Sequence, residues 1–146
     1  MKKILSILVV IVVLGTMFGL VACDDTVYGI GDTQEIRGVK LRVKSVSSAP
    51  KFYGAGYLVS VMVEIENTKA KPYTLSYLDF TLNDGYTLRK TDEKSTNIEG
   101  EEFKMLPKTT YVFYINFSTE YAHDMKDMIF IWKGKGSLGR EKKWVL

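Results

Sequence analysis

The chain has 146 residues, 46% hydrophobic and 25% charged, with a formal net charge of +3, one cysteine and one histidine. That length fits a single domain. A lone cysteine excludes an intrachain disulfide framework, and one histidine cannot build a zinc site, so no metal or other cofactor is expected. Two basic residues, Lys2 and Lys3, stand at the extreme N-terminus; the other 18 against 17 acidic residues leave a nearly neutral body, which excludes the strong basic face of a nucleic-acid binder.

Lys2 and Lys3 precede the apolar run at 4–14. A basic start followed by a run too apolar for a solvated surface is the pattern of a secretory signal, with the lysines held on the cytoplasmic side. Gly15, Thr16 and Gly19 loosen the segment before it closes with Leu20-Val21-Ala22-Cys23. These four residues resemble the bacterial lipobox of an aliphatic residue, a tolerant position, a small residue and a cysteine. The resemblance implies that the Cys23 thiol carries diacylglycerol, with palmitate-like acyl chains, and that residues 1–22 are removed as a lipoprotein signal peptide. Two acyl chains suffice for stable attachment where one does not.

Two other readings of the leader compete. The 19 residues 4–22 match the roughly 17–25 of an uncut membrane-spanning helix, and Cys23 could follow an ordinary cleaved signal as a free thiol. Both anchored readings place the protein on the outward face of the cell membrane. Residues 23–30 read as a tether, in which Asp24 resembles an inner-membrane retention signal if the cell has two membranes. Residues 31–146 read as the domain, and the 124 residues after the leader suffice to bury about 65% of the unfolded chain's surface.

Beyond the tether, side chains alternate with the period of two that marks strands. Val39, Leu41 and Val43 alternate with Lys40, Arg42 and Lys44, giving one wet face. Phe52 and Tyr53, with Gly54, Ala55 and Gly56, lead to a long strand in which Tyr57, Val59, Val61, Val63 and Ile65 share one face. The stretch 67–72 is a turn ended by Pro72. Leu75, Tyr77 and 80–82 form the next strand or two, and Asn83-Asp84-Gly85 is a tight turn into 86–89.

Residues 90–101 are polar and read as an exposed loop. Phe103, Met105, Leu106 and Pro107 lead to 109–117, whose aromatic and β-branched residues are apolar on both faces, so that strand is expected at the centre of a sheet. A helix or turn at 120–126, a strand at 128–132, a flexible hairpin at Gly134, Gly136 and Gly139, and a last strand at 142–146 complete the chain. The expected fold is all-β, an antiparallel sandwich of about seven or eight strands preceded by the signal helix. The short run Arg140, Lys142 and Lys143 reads as a solvated strand end, with contact to anionic lipid or wall polymer as the other reading.

The order of Gly31-Asp32, the strand at 39–46, Ile65-Glu66-Asn67-Thr68, Leu78-Asp79-Phe80-Thr81-Leu82 with its turn, and Leu106-Pro107-Lys108-Thr109-Thr110 before an aromatic strand resembles a known family. It is similar to the telokin-like, immunoglobulin-like domain of bacterial lipoproteins, related to a secreted mycobacterial antigen. The similarity spans most of 31–133. It implies an immunoglobulin-like fold and offers no agreed active site to carry over.

Catalytic constellations are missing from the sequence. His123, the single histidine, lies in the connection Tyr121-Ala122-His123-Asp124, and with Cys23 given to the anchor no positioned nucleophile is expected beside it. Asp79, Asn83, Asp84, Asp92 and Glu93 are oxygen donors suited to calcium, but their spacing matches no twelve-residue loop and fits turn chemistry better. Glu64 and Glu66 share a wet strand face, as solvating groups do. The aromatics are the candidate binding surface: Phe52, Tyr53 and Tyr57, together with Tyr73 and Tyr77, offer flat apolar faces with polar tips. The favoured expectation for Phe52, Tyr53 and Tyr57 is that they cap one end of the sandwich core.

The function expected is that of a lipid-anchored, non-catalytic binding or structural module of the cell envelope. Its partners would be the membrane, through diacylglycerol, and an envelope protein, peptide or wall polymer. The alternatives are an envelope enzyme with a non-standard, metal-assisted site near 79–93, and an accessory subunit of a membrane complex.

Overall fold

The computed structural model describes residues 26–93, 96–98, 102–120, 125–134 and 141–146; the leader, Cys23, His123, Gly136, Gly139 and Arg140 lie outside them. The strands run β1 (Val27–Tyr28), β2 (Thr33–Ile36), β3 (Val39–Pro50), β4 (Tyr57–Asn67), β5 (Tyr73–Ser76) and β6 (Phe80–Asn83). They continue with β7 (Leu88–Lys90), β8 (Glu102–Met105), β9 (Thr109–Thr119), β10 (Ile129–Lys133) and β11 (Glu141–Val145). Among the described residues there is no α-helix, only 3-10 turns at Tyr77–Asp79 and Met125–Asp127. The eleven strands exceed the expected seven or eight because several are only two to four residues long.

Two sheets face each other. One has the order β1-β11-β10-β6-β7 and the other β2-β3-β4-β9, with β5 and β8 forming a separate pair. The alternation explains the layers. Val39, Leu41, Val43, Val59, Val61, Val63 and Ile65 are fully buried from one side, and Phe80, Leu82, Phe130, Trp132 and Trp144 from the other. Phe117 meets Phe130 edge-on across the layers with ring centroids 6.1 Å apart. Among the described residues, those buried in this core lie at or beyond Ile36.

The structure revises several local expectations. Val27 and Tyr28, within the stretch read as a tether, pair in parallel with Lys143 and Trp144. The strand at 109–117 is not central but ends its sheet, and Val112 and Tyr114 are about half exposed on its outer face. Part of the free edge of β9 is covered by the segment expected to be an exposed loop. Thr91 bridges to Phe117, the Asp92 N–H donates to the Asn116 carbonyl at 2.6 Å, and the Tyr114 N–H donates to Asn97 Oδ1 at 2.7 Å. Thr96 and Ile98 are accordingly buried. Covering an edge in this way blocks stray strand addition. Gly134 is packed rather than loose, since a Cβ there would lie 2.8 Å from Ile36 Cγ2.

Candidate functional site

β3 and β4 form the longest hairpin of the fold, with pairing that continues to Pro50 opposite Tyr57. A bulge between Val43 and Ser45 shifts the register midway, which increases local twist. The facing sheet is short: β6 has four residues and β10 five. The hairpin therefore outruns its partner layer, and residues 47–50 are exposed. A chain with nothing to pack against ends in a polar tip in most proteins. This one ends in Phe52 and Tyr53.

The tip is closed by the Lys51 N–H donating to the Gly56 carbonyl at 3.0 Å. Gly54 and Gly56 hold φ of 85° and 102°, a backbone that side chains disfavour. At Gly56 a Cβ would overlap the Thr119 carbonyl oxygen. Held there, Phe52 is 90% and Tyr53 85% exposed, and the two rings stand edge-to-face with centroids 4.8 Å apart. The expectation that Phe52, Tyr53 and Tyr57 cap the core is overturned for Phe52 and Tyr53, whose rings rest on each other, while Tyr57 is half-buried.

A second turn reaches the same end. Asn83 pairs with Leu88 and with Ile129, and the Gly85 site lies 4.0 Å from the Asp127 carbonyl. This β6–β7 turn exposes Tyr86 and Leu88. Asp84 builds it: its carboxylate accepts from the N–H groups of Tyr86 at 3.0 Å and Thr87 at 2.8 Å, and from Arg89 Nε at 2.6 Å. Arg89 also reaches Glu120 at 3.7 Å, and Glu120 adjoins the Gly56 site. The guanidinium thus ties the second turn to the base of the aromatic hairpin.

Burial alone would push the Asp84 carboxyl up. The Thr87 N–H, the Arg89 side chain and the Tyr86 N–H outweigh it and hold the group below the usual carboxylate range. Its hydrogen bond to Asp84 raises Arg89 in turn. Asp84 is therefore ionised at neutral pH and cannot donate a proton. Asp84→Asn is expected to lower stability by about 2 kcal/mol, since a charged hydrogen bond is lost. A carboxylate lowered in the native state contributes fully above its unfolded value and loses that contribution as pH falls through the native one. The gap between the two proteins should be constant down to about pH 5 and shrink below about pH 4. Urea titrations across that range check it, and a gap unchanged at the acid end would contradict the pairing.

The five predicted aromatics do not form one surface. Tyr57 is half-buried at the base of the hairpin, opposite Thr119. Tyr77 is 8% exposed in the core, its carbonyl accepting from Thr91 Oγ1. Tyr73 lies near the other end of β4, under Lys69 Nζ at 5.1 Å; the eleven residues of β4 separate the two ends by roughly 33 Å. Tyr86 and Leu88 are the residues that sequence reasoning missed. Their position just after the Asn-Asp-Gly turn was the available signal.

In the two rival sites several of the oxygen ligands also make local hydrogen bonds. Asp79 accepts from the Ser76 N–H at 3.0 Å as a turn cap, Asn83 Oδ1 from the Gly85 N–H at 3.0 Å, and Asp92 from Ser118 Oγ at 2.8 Å. A depression of about 230 Å³ on the outer sheet face is lined by Thr33, Lys40, Arg42, Glu64 and Glu66. Around it Lys40 pairs with Glu66 at 3.7 Å and Lys44 with Glu64 at 3.8 Å, and Arg42 Nε donates to the Gly31 carbonyl at 2.7 Å.

No family model matches the chain, and no curated protein matches its sequence. Solved structures match it in shape. The yjhA protein of Bacillus subtilis superposes with a TM-score of 0.61 at 11% identity, over 82% of this chain and 98% of that one. The candidate lipoprotein ycdA of the same species gives 0.58 at 14% identity, over 77% of this chain but only 37% of its own length. The secreted protein MPT63 of Mycobacterium tuberculosis gives 0.58 at 8% identity, over 84% and 99%. At these identities the likeness shows a shared all-β fold of two facing sheets.

Proposed function

We propose that this chain is a lipid-anchored, non-catalytic recognition module of the cell envelope, with an immunoglobulin-like, telokin-like sandwich that meets an envelope protein, peptide or wall polymer through its aromatic end. The observation that carries the reading is the Phe52–Tyr53 pair, two large rings exposed side by side on a glycine-fixed tip. Aromatic anchors with few rotatable bonds are the side chains that dominate contact surfaces. Tyr86 and Leu88 extend the apolar surface at the same end. Of the acidic groups nearby, Asp84 is held by its turn and Arg89, and Asp92 accepts from Ser118, which favours contact over catalysis. An envelope location is supported by the basic-then-apolar leader ending at Cys23 and by the likeness to a secreted protein and a candidate lipoprotein.

The test is photo-crosslinking on intact cells from position 55, beside the rings. The wild type should give a discrete adduct that the double variant Phe52→Ser, Tyr53→Ser loses. Fully exposed rings contribute little to folding, so the double variant should stay within about 0.5 kcal/mol of the wild type. An adduct unchanged by the double substitution would remove the aromatic tip as the contact.

A further inference from the structure

We propose that the end of the sandwich opposite the aromatic tip is a docking face for an anionic lipid bilayer, a proposal that rests on the reading of Cys23 as the anchor. The direction of the chain comes first. β1 is parallel to β11, with Val27 opposite Lys143 and Tyr28 opposite Trp144. β11 starts at Glu141, opposite Lys133. The chain thus enters the sheet heading away from the Lys133–Glu141 end. Cys23 stands four residues before Val27, and four residues span at most about 14 Å.

The end it comes from is a braced platform of turns. The Thr68 N–H and hydroxyl both donate to the Gly38 carbonyl, at 3.0 and 2.8 Å. Fully buried Asn67 donates to the carbonyls of Lys71 and Leu106 and accepts from the Lys69 N–H. Lys108 Nζ donates to the Thr68 carbonyl. Gly134 packs on Ile36, which brings the end of β10 to the same place.

The turns at 37–38, 68–72 and 106–108 carry Arg37, Lys69, Lys71 and Lys108 and no acidic residue, and Lys133 ends β10 beside them, opposite Glu141. The acids near this end are Glu35, which faces Lys40 in the β2–β3 register, Glu66, paired with Lys40, Glu141, paired with Lys133 and Lys143, and Asp79, which caps the Ser76 N–H one residue before Phe80, the partner of Trp132. A body with almost no net charge therefore concentrates cations at one end. Leu106, 55% exposed beside Lys108, adds an apolar side chain to the same surface.

The backbone makes the same point independently. Among the described residues only Arg37 and Lys108 hold a positive φ without being glycine, at 50° and 56°. Arg37-Gly38 is a two-residue hairpin turn of positive φ, where Asn-Gly is the favoured pair. Asn or Gly would relieve both positions. A basic residue stands at each instead, and both stand at this end.

The experiment uses the chain from residue 23 with Cys23→Ser, which keeps every core residue among the described ones. Sedimentation is measured with vesicles of phosphatidylglycerol and phosphatidylcholine in equal parts, and with phosphatidylcholine alone. Binding is expected to the first only and to weaken with added salt. Each cation near an anionic surface contributes on the order of fivefold in affinity. The variant Arg37→Asn, Lys69→Gln, Lys71→Gln, Lys108→Asn should therefore bind at least about tenfold more weakly. Its two Asn substitutions suit the local backbone, so a thermal melt at or above the wild type's excludes misfolding as the cause.

Phe52→Ser, Tyr53→Ser should leave vesicle binding unchanged. Equal binding by wild type and the four-site variant, no binding to anionic vesicles, or binding only to a soluble poly(glycerol phosphate) would each overturn the proposal. The anchor is read separately: bare Cys23 in the native protein with charge-dependent vesicle binding would sink the anchor and leave the docking face.

Discussion

Replacing Trp144 with Ala is expected to lower unfolding free energy by about 4–5 kcal/mol, close to the whole stability of a small domain. The indole is fully buried and sits where three parts of the chain meet. It lies 5.9 Å from the Phe130 ring and 6.3 Å from Tyr28, and its Nε1–H donates to the Asp32 carbonyl at 3.2 Å. Truncation to Ala leaves a cavity between the sheets, removes the support for β1 and orphans a carbonyl at the turn into β2. Trp144→Phe keeps most of the volume and loses only the hydrogen bond, so it should cost about 1–2 kcal/mol. Chemical denaturation of the three proteins checks the order, and Ala and Phe variants of equal stability would contradict this account of the core.

Cys23→Ala should shift the protein from the membrane fraction to the culture fluid or periplasm, or leave it uncleaved, a change of nearly the whole population. Two acyl chains hold a protein essentially permanently where a few surface cations do not. The residual binding expected from the basic end is weak and salt-sensitive, so a high-salt wash should strip it from the variant and not from the wild type. Fractionation with and without salt separates the two contributions. A Cys23→Ala protein that stays salt-resistant on the membrane and is still acylated would contradict the anchor.

The layers were legible because alternation is a strong signal when one face is dry. Val39, Leu41 and Val43, and Val59 through Ile65, are buried as their spacing requires. The bulge after Val43 left no mark in composition, because a single extra residue changes which face follows without changing residue type. The strand at 109–117 misled in a physical way. Val112 and Tyr114 have β-favouring side chains that suit an edge as well as a centre, and the residues that settle the matter, Asp92, Thr96 and Asn97, cover β9 from a segment whose polarity reads as loop. A polar side chain that caps a strand edge looks, in sequence, like one that faces water.

The candidate site was half legible. Phe52 and Tyr53 between strand patterns were visible as a loop, but their exposure depends on the facing sheet being shorter than the hairpin, which local sequence does not report. Tyr73 and Tyr77 were grouped with them by residue type alone, and the register of β4 puts Tyr73 at the other end of the domain. The basic end was invisible for a related reason. Arg37, Lys69, Lys108 and Lys133 are scattered along the chain and converge only when the turns stack.

Two ends of one rigid sandwich thus differ in chemistry, with cations gathered where the chain enters and bare rings where the long hairpin stops. A short lead from a lipidated thiol would set the first against the bilayer and turn the second toward whatever the protein meets outside. Intact-mass analysis of the protein extracted from its native membrane addresses this most directly. The expected species begins at Cys23 and carries the mass of a diacylglyceryl group; a chain that still begins at Met1, or one that begins at Cys23 with an unmodified thiol, would contradict it.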